Sequence, residues 1–190
     1  CVVCSGQSTH WPALLFRVRG IKWWLEMTVK KGKGLLMVYT DVGPEHEDEF
    51  NRWYNEEHIP ERLSIPGVLS AARYTALRGE PKYLACYELA EPEAWYSDPW
   101  QYWLNKPTEW SRRMSPGVVG INYIRNLYRL IYPGDVSEET AQADMSPVLL
   151  VGRMSVPPDL EDKFNQAYNT ERLPLCYDVP GYIRGRRFQA

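Results

Sequence analysis

Residues 47–67 read EDEFNRWYNEEHIPERLSIPG, and residues 161–181 read EDKFNQAYNTERLPLCYDVPG. The two stretches stand at a constant offset of 114 positions. The same register runs without a gap from residues 34–76 to 148–190, where 16 of 43 pairs are identical. A repeat of this length implies two copies of one domain rather than turns of a small solenoid. Counterparts of residues 77–131 do not occur before Ala190. The second unit is therefore expected to be truncated, or to be completed by another chain.

Working outward from the repeat, Leu35-Leu36-Met37-Val38-Tyr39 is a short apolar run suited to an inner strand. Pro44 opens a helix, with Glu45, Glu47, Asp48 and Glu49 complementing its positive end. Phe50, Trp53, Tyr54 and Glu57 recur at three- and four-residue spacings and outline one inward face. Pro60 predicts the helix exit, because Ile59 before it is biased away from helical geometry. Pro66-Gly67 turns the chain into a strand over Val68–Leu77, and Gly79-Glu80-Pro81 leads to its hairpin partner over Tyr83–Leu89. A second helix is expected over Glu93–Leu104, interrupted at Pro99, followed by the PTEWSRRMSPG connection and a final strand over 118–131. The order β-α-β-β-α-β is that of a ferredoxin-like unit. The expected division is an N-terminal extension (1–32), a first ferredoxin-like domain (33–132), a polar linker (133–147) and a partial second domain (148–190). In the second copy, strands are expected at Val148–Met154 and Tyr182–Ala190, with a helix from Pro158.

Composition limits the partners. Hydrophobic residues make up 44% of the chain and aromatic residues 13%, enough for compact cores. With 22 Lys and Arg against 24 Asp and Glu, the net charge of −2 provides no field for a polyanion, so nucleic acid is not expected. No run of 18 apolar residues suggests a membrane span. Cys1 and Cys4 have the spacing of half a metal knuckle but lack a second pair, and Cys86 reads as a small buried apolar residue. A reducing cytoplasm is the expected compartment. Residues 1–26 fall outside the repeat; Met27 would make a natural start, and Trp23 and Trp24 could pack on the domain surface.

The first strand, FNRWYNEEHIPERLSIPG, the Arg73-Tyr74 pair, PKYLACYEL and PTEWSRR together resemble the EthD-like branch of the dimeric α/β-barrel superfamily. The resemblance covers about residues 34–131, and 148–190 in part. It implies two ferredoxin-like units whose sheets form a barrel around a small pocket. The superfamily includes cofactor-independent monooxygenases, dehydratases or cyclases acting on aromatic and polyketide compounds, isomerases, haem enzymes, and proteins with no known reaction. Fold alone does not choose among these.

His58 is the leading chemical candidate, since imidazole exchanges protons near neutral pH, and the resemblance maps the family's histidine onto it. Its counterpart in the repeat is Arg172, so the two halves differ where function is expected. Arg73, repeated as Arg187, could form an ion pair with Glu57 or Glu171, or hold an oxyanion; Tyr123 is a second oxyanion candidate. Trp53, Tyr54, Glu57, Trp110, Arg125 and Arg172 complete the expected pocket. No GxSxG, HExxH, phosphate-cradling or carboxylate-metal motif occurs, and no cofactor or metal is expected. The expected function is cofactor-independent proton transfer (dehydratase, isomerase or lyase) on a small, largely apolar, oxygenated aromatic, cyclic or polyketide-like molecule. The alternatives are a non-catalytic small-molecule binding or accessory protein and a cofactor-free monooxygenase. A homo-oligomer is expected if the second unit needs another chain for completion.

Overall fold

The structure is a computed structural model that describes residues 29–190. The expectations for Cys1, Cys4, Trp23, Trp24 and Met27 lie outside the described residues. Two compact units are present among those residues. One comprises Lys30–Met145 with Arg186–Ala190, and the other Ser146–Gly185 with Val29.

The larger unit is built on an antiparallel five-stranded sheet in the order β2-β3-β1-β4-β5. Strand β1 (Gly34–Val42) lies at its centre, between β3 (Tyr83–Leu89) and β4 (Gly120–Tyr132). Both alternating faces of its Leu35–Tyr39 run are buried, which explains a continuous apolar stretch in an antiparallel sheet. Leu36 and Val38 face the helices; Leu35, Met37 and Tyr39 take the opposite alternation. Strand β2 (Val68–Thr75) pairs with β3 as the expected hairpin and ends two residues early. The first four strands thus stand in the 2-3-1-4 order of a ferredoxin-like α+β unit. The sheet is open, with β2 and β5 (Arg187–Gln189) at its edges, so the expected barrel closure is absent from the described residues.

The helical layer departs from expectation at its prolines. Helix α1 (Glu47–Trp53) does not end at Pro60; it passes through a π-helical turn (Tyr54–His58) into α2 (Ile59–Leu63). Within this turn the Ile59 amide bonds to the Tyr54 carbonyl, five residues back. The altered register places Pro60 in the first turn of the next α-helical segment, where its missing N–H is tolerated. Pro99 likewise sits at the start of α3 (Asp98–Asn105), after a separate 3₁₀ turn (Pro92–Tyr96), rather than interrupting a longer helix. The segment read as a connection folds into α4 (Glu109–Met114) and α5 (Pro116–Val119). The expected linker contains α6 (Glu138–Gln142), in which the Ala141 carbonyl accepts hydrogen bonds from the Lys30 and Lys31 amides.

The smaller unit reproduces the first helix element by element. Helix α7 (Glu161–Ala167), a π turn (Tyr168–Arg172) and α8 (Leu173–Tyr177) keep the 114-residue offset at every boundary. Phe164 and Tyr168 retain the ring contact of Phe50 and Tyr54. Gly67 and Gly181 both adopt positive φ, 90° and 85°, the left-handed conformation that favours glycine after each helix. Val148–Met154 does not form the expected strand: among the described residues it pairs with no other strand, and an unpaired run gains no ladder hydrogen bonds. The expected Tyr182–Ala190 strand contracts to β5, which joins β4 with Phe188 opposite Leu130.

Candidate functional site

The inward face of α1 delivers Phe50 and Trp53 into the core, and the π turn brings Tyr54 and His58 onto the same aromatic stack. The His58 ring lies nearly parallel to Trp53 at 4.4 Å between centroids. It meets Tyr54 edge-on at 5.1 Å and Tyr87, on β3, at 6.2 Å. Part of the residue reaches solvent, but Nδ1 is sealed and has no hydrogen-bond partner. Burial, reinforced by the charges of Arg62 and Arg73, holds the imidazole pKa well below its usual 6.5. At neutral pH His58 is an uncharged imidazole.

Arg73 projects from β2 toward this layer. It donates to Asn55 Oδ1 at 3.2 Å and Asn51 Oδ1 at 2.8 Å, and its guanidinium lies 4.2 Å from the Tyr54 ring centroid. The expected Arg73–Glu57 pairing is replaced by these amide and aromatic contacts. Burial lowers the pKa of Arg73, while neighbouring tyrosines oppose that shift. The guanidinium nevertheless remains a fixed positive charge beside His58.

Glu57 has a different set of partners. Its Oε1 accepts from Trp53 Nε1 at 3.0 Å, Thr108 Oγ1 at 2.6 Å and Ser111 Oγ at 2.9 Å. Trp53 Nε1 also donates to Ser111 Oγ at 3.1 Å. Glu57 thereby fixes the indole against which His58 stacks. Its position follows from the four-residue spacing to Trp53, which places both side chains along one helix face.

The other sequence candidates take separate places in the two units. Tyr54 is buried, and burial raises its phenol pKa. Tyr123 lies at the more exposed end of β4, close enough to bear on Tyr54 ionisation. Arg125, two residues along the same face, lies over the Trp95 ring at 4.8 Å. Trp110 occupies the α1–α4 seam, donating to Glu49 Oε1 at 3.1 Å while the Arg52 guanidinium lies 5.7 Å from its ring centroid. Arg172 is exposed in the smaller unit and accepts a Cys176 thiol hydrogen bond at its carbonyl.

Three neighbours were not among the sequence candidates: Arg62, Tyr87 and Trp100. Arg62 lies four residues after His58, a spacing that brings side chains together on a helix. Its Nη2 contacts Glu61 Oε1 at 2.9 Å, and its guanidinium lies 5.5 Å from the Trp100 ring centroid. Tyr87 belongs to the inward alternation with Tyr83, Ala85 and Leu89. The Tyr87 hydroxyl faces that of Tyr54 as a hydrogen-bonding neighbour that shifts the ionisation of both, although the contact falls short of full hydrogen-bond geometry and Tyr87 Oη has no other partner. Among the described residues, no group of three or more His, Cys, Asp or Glu side chains could hold a metal ion. No described helix is long and apolar enough to cross a membrane.

No protein-family description matches the chain, and no curated protein sequence does. A solved structure of MhuD, a heme-degrader from Mycobacterium tuberculosis with two hemes bound in its active site, is similar at 15% identity. The match covers 52% of this chain and 95% of that chain, with a TM-score of 0.37. That likeness assigns neither ligand nor activity here. The ferredoxin-like assignment rests on strand order and pairing.

Proposed function

We propose that the protein acts on a small oxygenated aromatic, cyclic or polyketide-like molecule by proton transfer at His58. The supporting observation is the neutral imidazole, ordered by Trp53 and Tyr54, with an unpartnered Nδ1 beside two guanidinium charges. In the proposed step, the His58 imidazole accepts a proton from carbon adjacent to a carbonyl. The C–H electron pair moves to the carbonyl oxygen, forming an enolate and an imidazolium.

Arg62 and Arg73 disfavour the imidazolium but favour the enolate, so their field does not oppose formation of the pair as a whole. Arg73 acts through its charge while bound to the two asparagines, and Tyr123 is the accessory oxyanion donor in this reading. Returning the proton to a different carbon gives isomerisation. Delivering it to a departing β-hydroxyl group gives water and an unsaturated product.

Deuterium exchange at the acidic carbon of β-tetralone, followed by proton NMR in D₂O, tests this step with a simple carbon acid standing in for the natural substrate. His58→Gln should reduce protein-dependent exchange by about a hundredfold while preserving the circular-dichroism spectrum. A folded variant exchanging at the wild-type rate would remove His58 from the reaction. A second reading, a non-catalytic binding protein, draws on the packing of His58 beneath Trp53. Wild-type protein that binds the ketone but catalyses no exchange would favour that reading.

A further inference from the structure

Four buried polar atoms near His58 lack a hydrogen bond of full geometry: His58 Nδ1, Arg62 Nη1, Trp100 Nε1 and Tyr87 Oη, the last with only the Tyr54 hydroxyl as a neighbour. Arg62 is 6% exposed, and Tyr87 and Trp100 are each 1% exposed. A chain of contacts links them. His58 faces Tyr87 at 6.2 Å, Arg62 follows His58 by one helical turn, and the Arg62 guanidinium lies 5.5 Å from Trp100. Leaving a buried polar group unsatisfied forfeits its hydration without return, so four in one neighbourhood call for a common physical explanation.

Their chemistry is unequal. Arg62 Nη1 and Trp100 Nε1 can only donate, and the Tyr87 hydroxyl can donate. Arg62 directs Nη2 toward Glu61, leaving Nη1 as the orphan. The other charged groups bearing on this neighbourhood are the guanidinium groups of Arg73 and Arg125, while Glu61 is the carboxylate paired with Arg62. Indole and phenol surfaces flank the donors, with Trp95 and Trp100 at 4.8 Å. A flat ring bearing an anionic oxygen complements both features.

We propose that Arg62, Tyr87 and Trp100 form a recognition site for the carboxylate or phenolate oxygen of an aromatic ligand, with His58 at its edge. This deepens the proton-transfer reading and rests on it only in assigning the ligand to the His58 compartment. Arg62 is the charge anchor. Tyr87 and Trp100 are hydrogen-bond donors that also select for a planar body.

The test measures benzoate binding to the full chain by calorimetry, with benzamide as a neutral comparison. Benzoate is expected to bind at millimolar concentration and at least tenfold more tightly than benzamide. Tyr87→Phe and Trp100→Phe each remove a donor while retaining an aromatic ring, and each should weaken benzoate binding about tenfold; Tyr87→Phe should do so without lowering the melting temperature, whereas Trp100→Phe also leaves a core cavity and is compared on the folded variant. Arg62→Met should abolish the preference for benzoate over benzamide; the two aromatic variants keep the test decisive if this substitution disturbs folding. Absence of saturable benzoate binding, equal binding of both probes, or unchanged affinity in both aromatic variants would overturn the site. His58→Gln separates the two readings. Loss of ketone exchange with retained benzoate binding supports both, whereas retained exchange with donor-dependent benzoate binding removes proton transfer and leaves the anion site.

Discussion

Burying the imidazole of His58 links folding to pH. Its folded pKa lies well below 6.5, so between those values the unfolded chain binds more protons than the folded one. Stability therefore rises with pH across this window and is complete above about 6.5. It falls on acidification toward the folded pKa, with a limiting slope of about 1.4 kcal/mol per pH unit for this group. Urea denaturation between pH 7 and pH 5 should show a smaller acid-side loss in His58→Gln than in wild type, because glutamine has no proton to bind. Equal losses would show that His58 is not kept neutral by the fold. The sequence made His58 legible as a candidate through its proton chemistry and its asymmetry with Arg172. Its burial depends on Tyr87 and Arg73, which come from strands distant in sequence. No local spacing predicts that environment.

At the scale of elements, Glu57 joins the π turn to the beginning of α4. Thr108 caps α4 by accepting from the Ser111 amide at 3.0 Å and donates its hydroxyl hydrogen to Glu57 at 2.6 Å. Thr108→Ala removes both interactions and leaves one acceptor position of Glu57 unused. Loss of the cap alone costs about 0.5–2 kcal/mol. Chemical denaturation should place Thr108→Ala in the upper part of that range, while Thr108→Ser should recover most of the loss. Equal destabilisation of both variants would show that the hydroxyl is not the source. The strands and the inward aromatic face were legible because periods of two and 3.6 are written directly in apolar residues. The π turn was not. Pro60 read as a stop because the residue before a proline is biased away from helical geometry, yet Ile59 stays helical and its amide bonds to Tyr54 in an altered register. The cap of α4 was also hidden within an apparent connection, although Thr108 precedes Glu109 and Trp110 at the helix start.

Across the larger unit, the repeat contributes to a sheet that it was expected to oppose. The shared helix and glycine turn recur at the same offset, but β5 pairs with β4 instead of entering a second complete sheet. Backbone groups along an open strand can accept any strand of suitable register, so local similarity between the copies does not dictate equal pairing. Just before β5, Arg186 binds Glu88 of β3 through two contacts: Nη1 to Oε2 at 3.1 Å, and Nη2 to Oε1. Glu88 is 1% exposed and Arg186 is 8% exposed, so removing either partner strands a charge in the interior. Arg186→Met should destabilise the larger unit by about 3–5 kcal/mol, because it leaves the Glu88 carboxylate without its counterion. Replacing both residues, Glu88→Met with Arg186→Met, should recover most of that loss, since an apolar pair avoids both desolvation penalties. Urea denaturation of the two single variants and the double variant distinguishes charge compensation from simple packing. Additive destabilisation in the double variant would reject compensation, whereas recovery would show that the ion pair constrains the association of this terminal segment more than it adds net stability.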